Sequence, residues 1–266
     1  MKKVFKTLGI IAVIAIIGLG MVACKPDPCK NGHTFPDWTD PTCTVDGNSE
    51  RTCVNCTQKD TRTTGFTAGH DHVESLICKR DGCNHQYSIG DTGPAGGIIF
   101  YVASNGFTMT DDGTIAHYLE AAPTNTAIEF RWSTITWEEY KASEYDSSIF
   151  IDIPGTGIAI GTGRKNTALI LELDAAAPAA LRCKNYFITG FESYNDWFLP
   201  SKDELSQLRL RRAIFGIPNN FIMWSSSQDN QYDDSYGSAW SQSFGNGEQR
   251  DQDKVSEHYV HAIRAF

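Results

Sequence analysis

Apolar residues are distributed unevenly along the chain, and their pattern divides it into three parts. An apolar run from about Leu8 to Val22 follows Lys2, Lys3 and Lys6 and ends in small residues, the layout of an export signal. From Cys29 to His85 the chain is polar, rich in Thr, Asp and Asn and poor in Leu, Ile and Val. Such a stretch buries too little apolar surface to fold alone and needs covalent or metal staples. From Gly90 to Phe266 a real core is present, in Gly97–Val102, Ala168–Leu171, Trp197–Leu199 and Phe221–Trp224.

Within this last part the pattern predicts specific elements. Gly97 to Ala103 reads as a strand ended by a hairpin-type turn at Ser104-Asn105-Gly106. Helical character runs from Asn166 to about Leu173, and again from about Pro178 to Phe187, stopping at Gly190. Ser201-Lys202-Asp203-Glu204 is a capping box that opens a helix with Leu205 and Leu208 on its apolar face. Short strands follow around Ile222–Ser226, Ala239–Phe244 and Tyr259–Phe266, with a tight turn at Gly245-Asn246-Gly247. The order is α+β, with two or three helices beside mostly antiparallel short strands. The expected divisions are 1–23 leader, 24–28 anchor and linker, 29–88 Cys/His-rich module and 89–266 large domain.

Cys24 changes the meaning of the leader. Val22-Ala23-Cys24 closes the apolar run and resembles the signal of bacterial lipoproteins, with Met21 where that family most often has Leu. The resemblance implies acylation of Cys24 and a protein anchored by lipid to a membrane of the cell envelope, facing away from the cytoplasm. Loss of Lys2, Lys3 and Lys6 with the leader takes the formal charge from −9 to −12. So acidic a chain lacks the clustered Lys and Arg that nucleic acid or anionic lipid requires.

The polar module holds six of the eight cysteines and four of the seven histidines. It resembles a short extracellular repeat, written here Gly32-His33, Trp38, Pro41-Thr42-Cys43-Thr44 and Arg51-Thr52-Cys53 to Cys56; a shortened copy follows in Gly69-His70, Cys78 and Cys83. Cys-x2-Cys places two thiolates within reach of one zinc. Cys53, Cys56, Cys78 and Cys83 have zinc-ribbon spacing, and His33 and Cys43 joining Cys53 and Cys56 is the alternative set. Against zinc stands the oxidising compartment, in which the six cysteines, Cys29 included, could form three disulfides. Either staple is structural.

Residues 90–266 carry six ordered motifs. They are Ile89–Tyr101 with Gly93-Pro94-Ala95-Gly96-Gly97, Tyr118–Pro123, Ala159–Thr167, Asn195–Leu205, Trp224–Ser227 with Ala239-Trp240, and Ala262–Phe266. Together they resemble the Lcl C-terminal domain family, named for a bacterial collagen-like adhesin. That family is similar to the C-type-lectin-like fold shared with sulfatase-modifying factors. The resemblance implies an extracellular binding domain whose first and last strands pair; that pairing would bury Ile263 and Phe266 on one face by period two, or on alternate faces if a bulge intervenes.

The loop between Trp224 and Trp240 is the candidate ligand site. Gln228, Asp229, Asn230, Asp233 and Asp234 can grip sugar hydroxyls, and Tyr232, Tyr236 or Trp240 can cover a pyranose face. The implied partners are glycan, extracellular matrix or another envelope protein. The loop lacks the Glu-Pro-Asn or Gln-Pro-Asp triplet of calcium-dependent lectins and the spacing of an EF-hand, which disfavours calcium. Arg209, Arg211 and Arg212 form one basic cluster, read as a solvated helix end. Catalysis is not expected. Sulfatase-modifying factors use a late cysteine pair, whereas Cys183 is the only cysteine after Cys83, and no Gly-x-Ser-x-Gly elbow accompanies His117, His258 or His261.

Overall fold

The computed structural model describes residues 29, 32–37, 50–61, 70–72, 74–80, 83–123, 128–229 and 237–266. They fall into two compact units, Met1–Thr67 and Ala68–Phe266. The division expected near residue 88 from composition thus lies inside the second unit. Aromatic packing is the reason: the Tyr87 ring meets Tyr118 and Phe266 edge-on, with centroids 5.5 and 5.7 Å apart.

In the first unit, β1 (Glu50–Thr52) and β2 (Lys59–Thr61) form an antiparallel hairpin around the Cys53–Cys56 turn. Arg51 holds it by donating to Asp60 at 2.7 and 2.9 Å and lying over the Phe35 ring.

The second unit is α+β. β3 (Ile98–Thr108), β4 (Ile115–Ala121) and the last strand, β10 (Ile263–Ala265), form an antiparallel sheet in the order β10-β4-β3. A second sheet has the order β5 (Glu129–Arg131), β9 (Glu257–Tyr259), β6 (Ile222–Gln228), β7 (Ser238–Ser243) and β8 (Gln249–Asp253). Its pairings are antiparallel except for one parallel bridge between Met223 and Tyr259. The helices are α1 (Trp137–Ala142), α2 (Gly163–Leu173), α3 (Pro178–Lys184) and α4 (Lys202–Leu210). The described residues therefore hold four α-helices, one more than the upper expectation. No helix among them is long and apolar enough to cross a membrane.

Several local expectations are corrected. β3 does not end at Ser104-Asn105-Gly106. The pairing jumps from Val102↔Tyr118 to Phe107↔Ala116, so these residues form a bulge, with Gly106 at φ +70°. The true turn follows Met109, where Asp112 accepts from the Thr114 N–H and hydroxyl. α3 stops at Lys184 with Asn185 as its cap, five residues before Gly190. The last strand pairs with β4 and not with β3, so β4 lies between the first and last strands. Ile263 and Phe266 also occupy opposite faces, as an odd separation requires at period two. Ile263 joins Phe100, Leu119, Phe198 and Leu205 in the core, while Phe266 stacks on Tyr118 at 5.2 Å.

The glycine-rich motifs converge on two buried carboxylates. Glu120 accepts from the Ala95 and Gly97 N–H groups at 3.3 and 3.1 Å and from Arg264 Nη1 at 2.9 Å. Arg264 also donates to Asp196 at 2.6 Å. Burial raises the Glu120 pKa, and Arg264 with the two amides opposes that shift. A Cβ on Gly97 would sit 2.8 Å from the Ala121 carbonyl oxygen, so the loop needs glycine there to close on Glu120. Glu204 of the expected capping box accepts from the Ser201 and Gly161 N–H groups at 2.7 and 2.8 Å. Burial pushes its pKa up to about 7 despite those donors. Five of the six motifs thus tie the fold together from inside.

Candidate functional site

The strongest concentration of chemistry lies in the first unit. Cys29, His33, Cys53 and Cys56 each present one donor atom, all within 4.8 Å of one another. Cys29 Sγ is 3.4 Å from Cys53 Sγ and 3.1 Å from Cys56 Sγ, and His33 Nδ1 is 3.3 Å from Cys56 Sγ. Ligands of a tetrahedral zinc stand roughly 3.3–3.8 Å apart, given metal–sulfur and metal–nitrogen bonds of about 2.3 and 2.0 Å. The set is therefore already close to the shape a cation would impose.

Local structure explains the convergence. The Cys53–Cys56 turn caps the β1–β2 hairpin, with the Cys53 N–H on the Gln58 carbonyl and the Val54 N–H on Thr34, which brings His33 beside it. The Gln58 N–H donates to Cys56 Sγ at 3.4 Å, a bond that favours a thiolate. Burial acts to raise the Cys53 pKa. Hydrogen bonds from the Asn55 backbone and from His33 outweigh it and bring the thiol down to about 6. Cys29 is pushed up to about 12, first by its hydrogen bond to Cys56 and then by burial. Three thiols this close cannot all ionise without a cation between them. Cys53, Cys56, Cys83 and Cys183 are free thiols. The cluster could hold a metal ion.

This pairing differs from both sequence expectations. Cys53 and Cys56 close with Cys29 and His33, whereas Cys78 and Cys83 close with His70, so the four-cysteine ribbon set is divided. In the alternative set His33, Cys53 and Cys56 are brought together, with Cys29 as the fourth donor; Cys43 lies outside the described residues, as does Cys24.

The second group was missed in part. His70, Cys78 and Cys83 present donors within 4.8 Å of one another, and so do His70, His72 and His85. The signal was there in the repeat, since Gly69-His70 matches Gly32-His33. Backbone bonds from Cys78 N–H to the His85 carbonyl and from Lys79 N–H to the Asp71 carbonyl draw the three strands of chain together.

The expected ligand loop looks different in three dimensions. Gln228 is buried inside the fold: its Oε1 accepts from the Ile153 N–H and from Lys254 Nζ, and its Nε2 donates to Asp152. Asp229 is buried too, with its N–H on the Ser238 carbonyl. Trp240 is half-buried, and the Lys202 ammonium lies 3.0 Å from its ring centroid, which occupies one stacking face. Asn230, Tyr232, Asp233, Asp234 and Tyr236 lie outside the described residues. Gln228 is thus a structural residue and not a ligand contact. The reason is its position at the end of β6, the central strand of its sheet.

Several other candidates also make contacts inside the second unit. Trp197 and Trp224 are buried as expected. Cys183 is buried on α3, and burial raises its pKa. His117 and His261 bond the carbonyls of Ala103 and Ala122, and His258 lies against Trp224. In the basic cluster, Arg209 donates to the Gly245 carbonyl and Arg212 to Asn219.

No family model matches the chain, and no curated protein matches it. The functional argument therefore rests on the residues themselves.

Proposed function

We propose that this chain is a lipid-anchored cell-envelope protein whose small unit is a zinc-stapled module and whose α+β unit is a lectin-like, non-catalytic binding domain. The observation that carries this reading is the three-thiol, one-imidazole cluster of Cys29, His33, Cys53 and Cys56. Its donor set is that of structural zinc, and the unit around it has too little apolar surface to fold without a staple. Anchoring rests on Lys2, Lys3, Lys6, the apolar run and Val22-Ala23-Cys24. The lectin-like assignment rests on the motif set, and on β10 returning beside the β3–β4 hairpin. The partner class is glycan, matrix or another envelope protein, approached through the surface loops and not through Gln228.

Two measurements test this reading. Metal analysis of protein purified under reducing conditions should find zinc that is lost from this centre in Cys53→Ser/Cys56→Ser. Detergent partition of the protein expressed in bacteria should place wild type in the detergent phase and Cys24→Ala in the aqueous phase. Equal partition of both forms would remove the anchor, and zinc-free protein with a fully protected hairpin would remove the staple.

A further inference from the structure

We propose that the chain carries a second, separate zinc site, built in the second unit from His70, Cys78, Cys83 and His85, with His72 as the residue that positions His85. The first cluster has three sulfurs and one nitrogen; this one would have two of each.

The geometry supplies three of the ligands directly. Cys83 Sγ lies 3.3 Å from His70 Nδ1, and Cys78 Sγ completes a triangle of donors within 4.8 Å. The Asp71 N–H donates to Cys78 Sγ at 3.3 Å, the same kind of bond that favours thiolate in the first cluster. Cys78 is buried, while Cys83 and His70 are half-buried, so a cation can enter and still be shielded.

A chain of hydrogen bonds supplies the fourth. His72 Nδ1 lies 3.3 Å from the Ser75 carbonyl oxygen. A carbonyl only accepts, so in that bond His72 Nδ1 carries the proton. In the neutral ring Nε2 is then an acceptor, and it faces His85 Nδ1 at 3.1 Å. His85 must therefore donate from Nδ1, which leaves its Nε2 with a bare lone pair. A metal-ligating histidine has this tautomer, held by a partner on its other nitrogen. The His85 ring is stacked on His70, with centroids 3.6 Å apart. A cation taken by His70 is thus within a ring rotation of His85. Binding would release the protons of the Cys78 and Cys83 thiols.

The site would also fix a junction. His72 and His85 each contact Tyr87, at 4.8 and 4.5 Å between centroids, and Tyr87 packs on Tyr118 and Phe266. Residues 70–87 would be clamped to the three-stranded sheet by the ion.

The test is metal stoichiometry on the full chain, stripped with chelator and reductant and reloaded with zinc or cobalt. Wild type should take two ions. Cys78→Ser/Cys83→Ser should take one, and so should Cys29→Ser/Cys56→Ser, whose remaining cobalt spectrum should show two thiolate ligands and not three. Because the second pair of changes lies in the other unit, it leaves the proposed site intact even where the first unit fails to fold. In that background His85→Ala and His72→Ala should each weaken cobalt binding by about 10–100-fold. A single wild-type ion that survives Cys78→Ser/Cys83→Ser, or two ions retained in that variant, would overturn the proposal. So would a Cys78–Cys83 disulfide, seen as two alkylation-resistant thiols and a mass short by two hydrogens. Loss of the first site alone would leave the second standing.

Discussion

Arg264 joins several parts of the second unit. It lies between Glu120 and Asp196, with its guanidinium 4.6 Å from the Tyr194 ring centroid. Glu120 is fully buried, so removing its partner strands a charge that desolvation already disfavours. Arg264→Met should destabilise the unit by about 3–5 kcal/mol, measured by denaturant unfolding. Adding Glu120→Gln should recover much of that loss, since a neutral amide can still accept from Gly97. His261 makes a different prediction. It is buried, donates through Nε2 to the Ala122 carbonyl, leaves Nδ1 without a partner, and burial depresses its pKa to about 4. The unfolded chain binds that proton near pH 6.5, so stability should fall as pH drops from about 6.5 to 4, by on the order of 3 kcal/mol. His258 is depressed to about 4 as well and adds to the loss. Glu204 acts in the opposite direction, since its raised pKa makes the folded state gain stability as pH falls from about 7 to 4.5. Comparing wild type with His261→Gln isolates the histidine, and the variant should show a shallower acid loss.

Among the elements, those with a run or stripe of apolar residues were legible and those without one were not. Ser201 and Glu204 announced α4, and both bonds of its capping box are present. α1 has an equally complete capping box, from Thr136 and Glu139, but buries no residue, so no apolar period marked it. β8 reads Gln-Arg-Asp-Gln-Asp and sits at a sheet edge, where charge replaces alternation. At the site, Cys53-x2-Cys56 and His33 were legible because a turn needs only local sequence. Cys43 was read as the fourth donor where Cys29 takes that place, because spacing does not encode a long-range closure. Gln228 was misread because a loop rich in amides looks solvated until the strand before it proves central. Deleting residues 263–266 tests the element that matters most. It removes Ile263, fully buried, and Phe266, stacked on Tyr118. At about 2–5 kcal/mol per large core truncation, the loss rivals the 5–15 kcal/mol typical of a domain. The truncated protein should show no cooperative thermal transition.

At the scale of the whole molecule, the two units are stabilised by different means. The first has a hairpin, an ion pair between Arg51 and Asp60, and a cluster of metal-binding donors. The second has apolar clusters around Phe100, Phe198 and Met223 and around Trp132, Trp197 and Trp224. Chelator with reductant should therefore abolish amide protection in residues 50–61 while β6 remains protected in hydrogen exchange. Equal loss in both would mean that the apolar core of the second unit does not hold it without a staple.

The pairing of β10 with β4 also sets a schedule. Arg264 reaches Glu120 across 144 residues, and Ile263 bridges to Phe198. While the chain is being made, β3 and β4 emerge early and then wait, with one edge open and a buried acid lacking its counter-ion. Closure so distant in sequence is slow, because the entropy of the intervening loop is lost before any contact forms. Until synthesis has passed residue 264, the open edge of β4 and the carboxylate of Glu120 lack the partners they have in the folded chain.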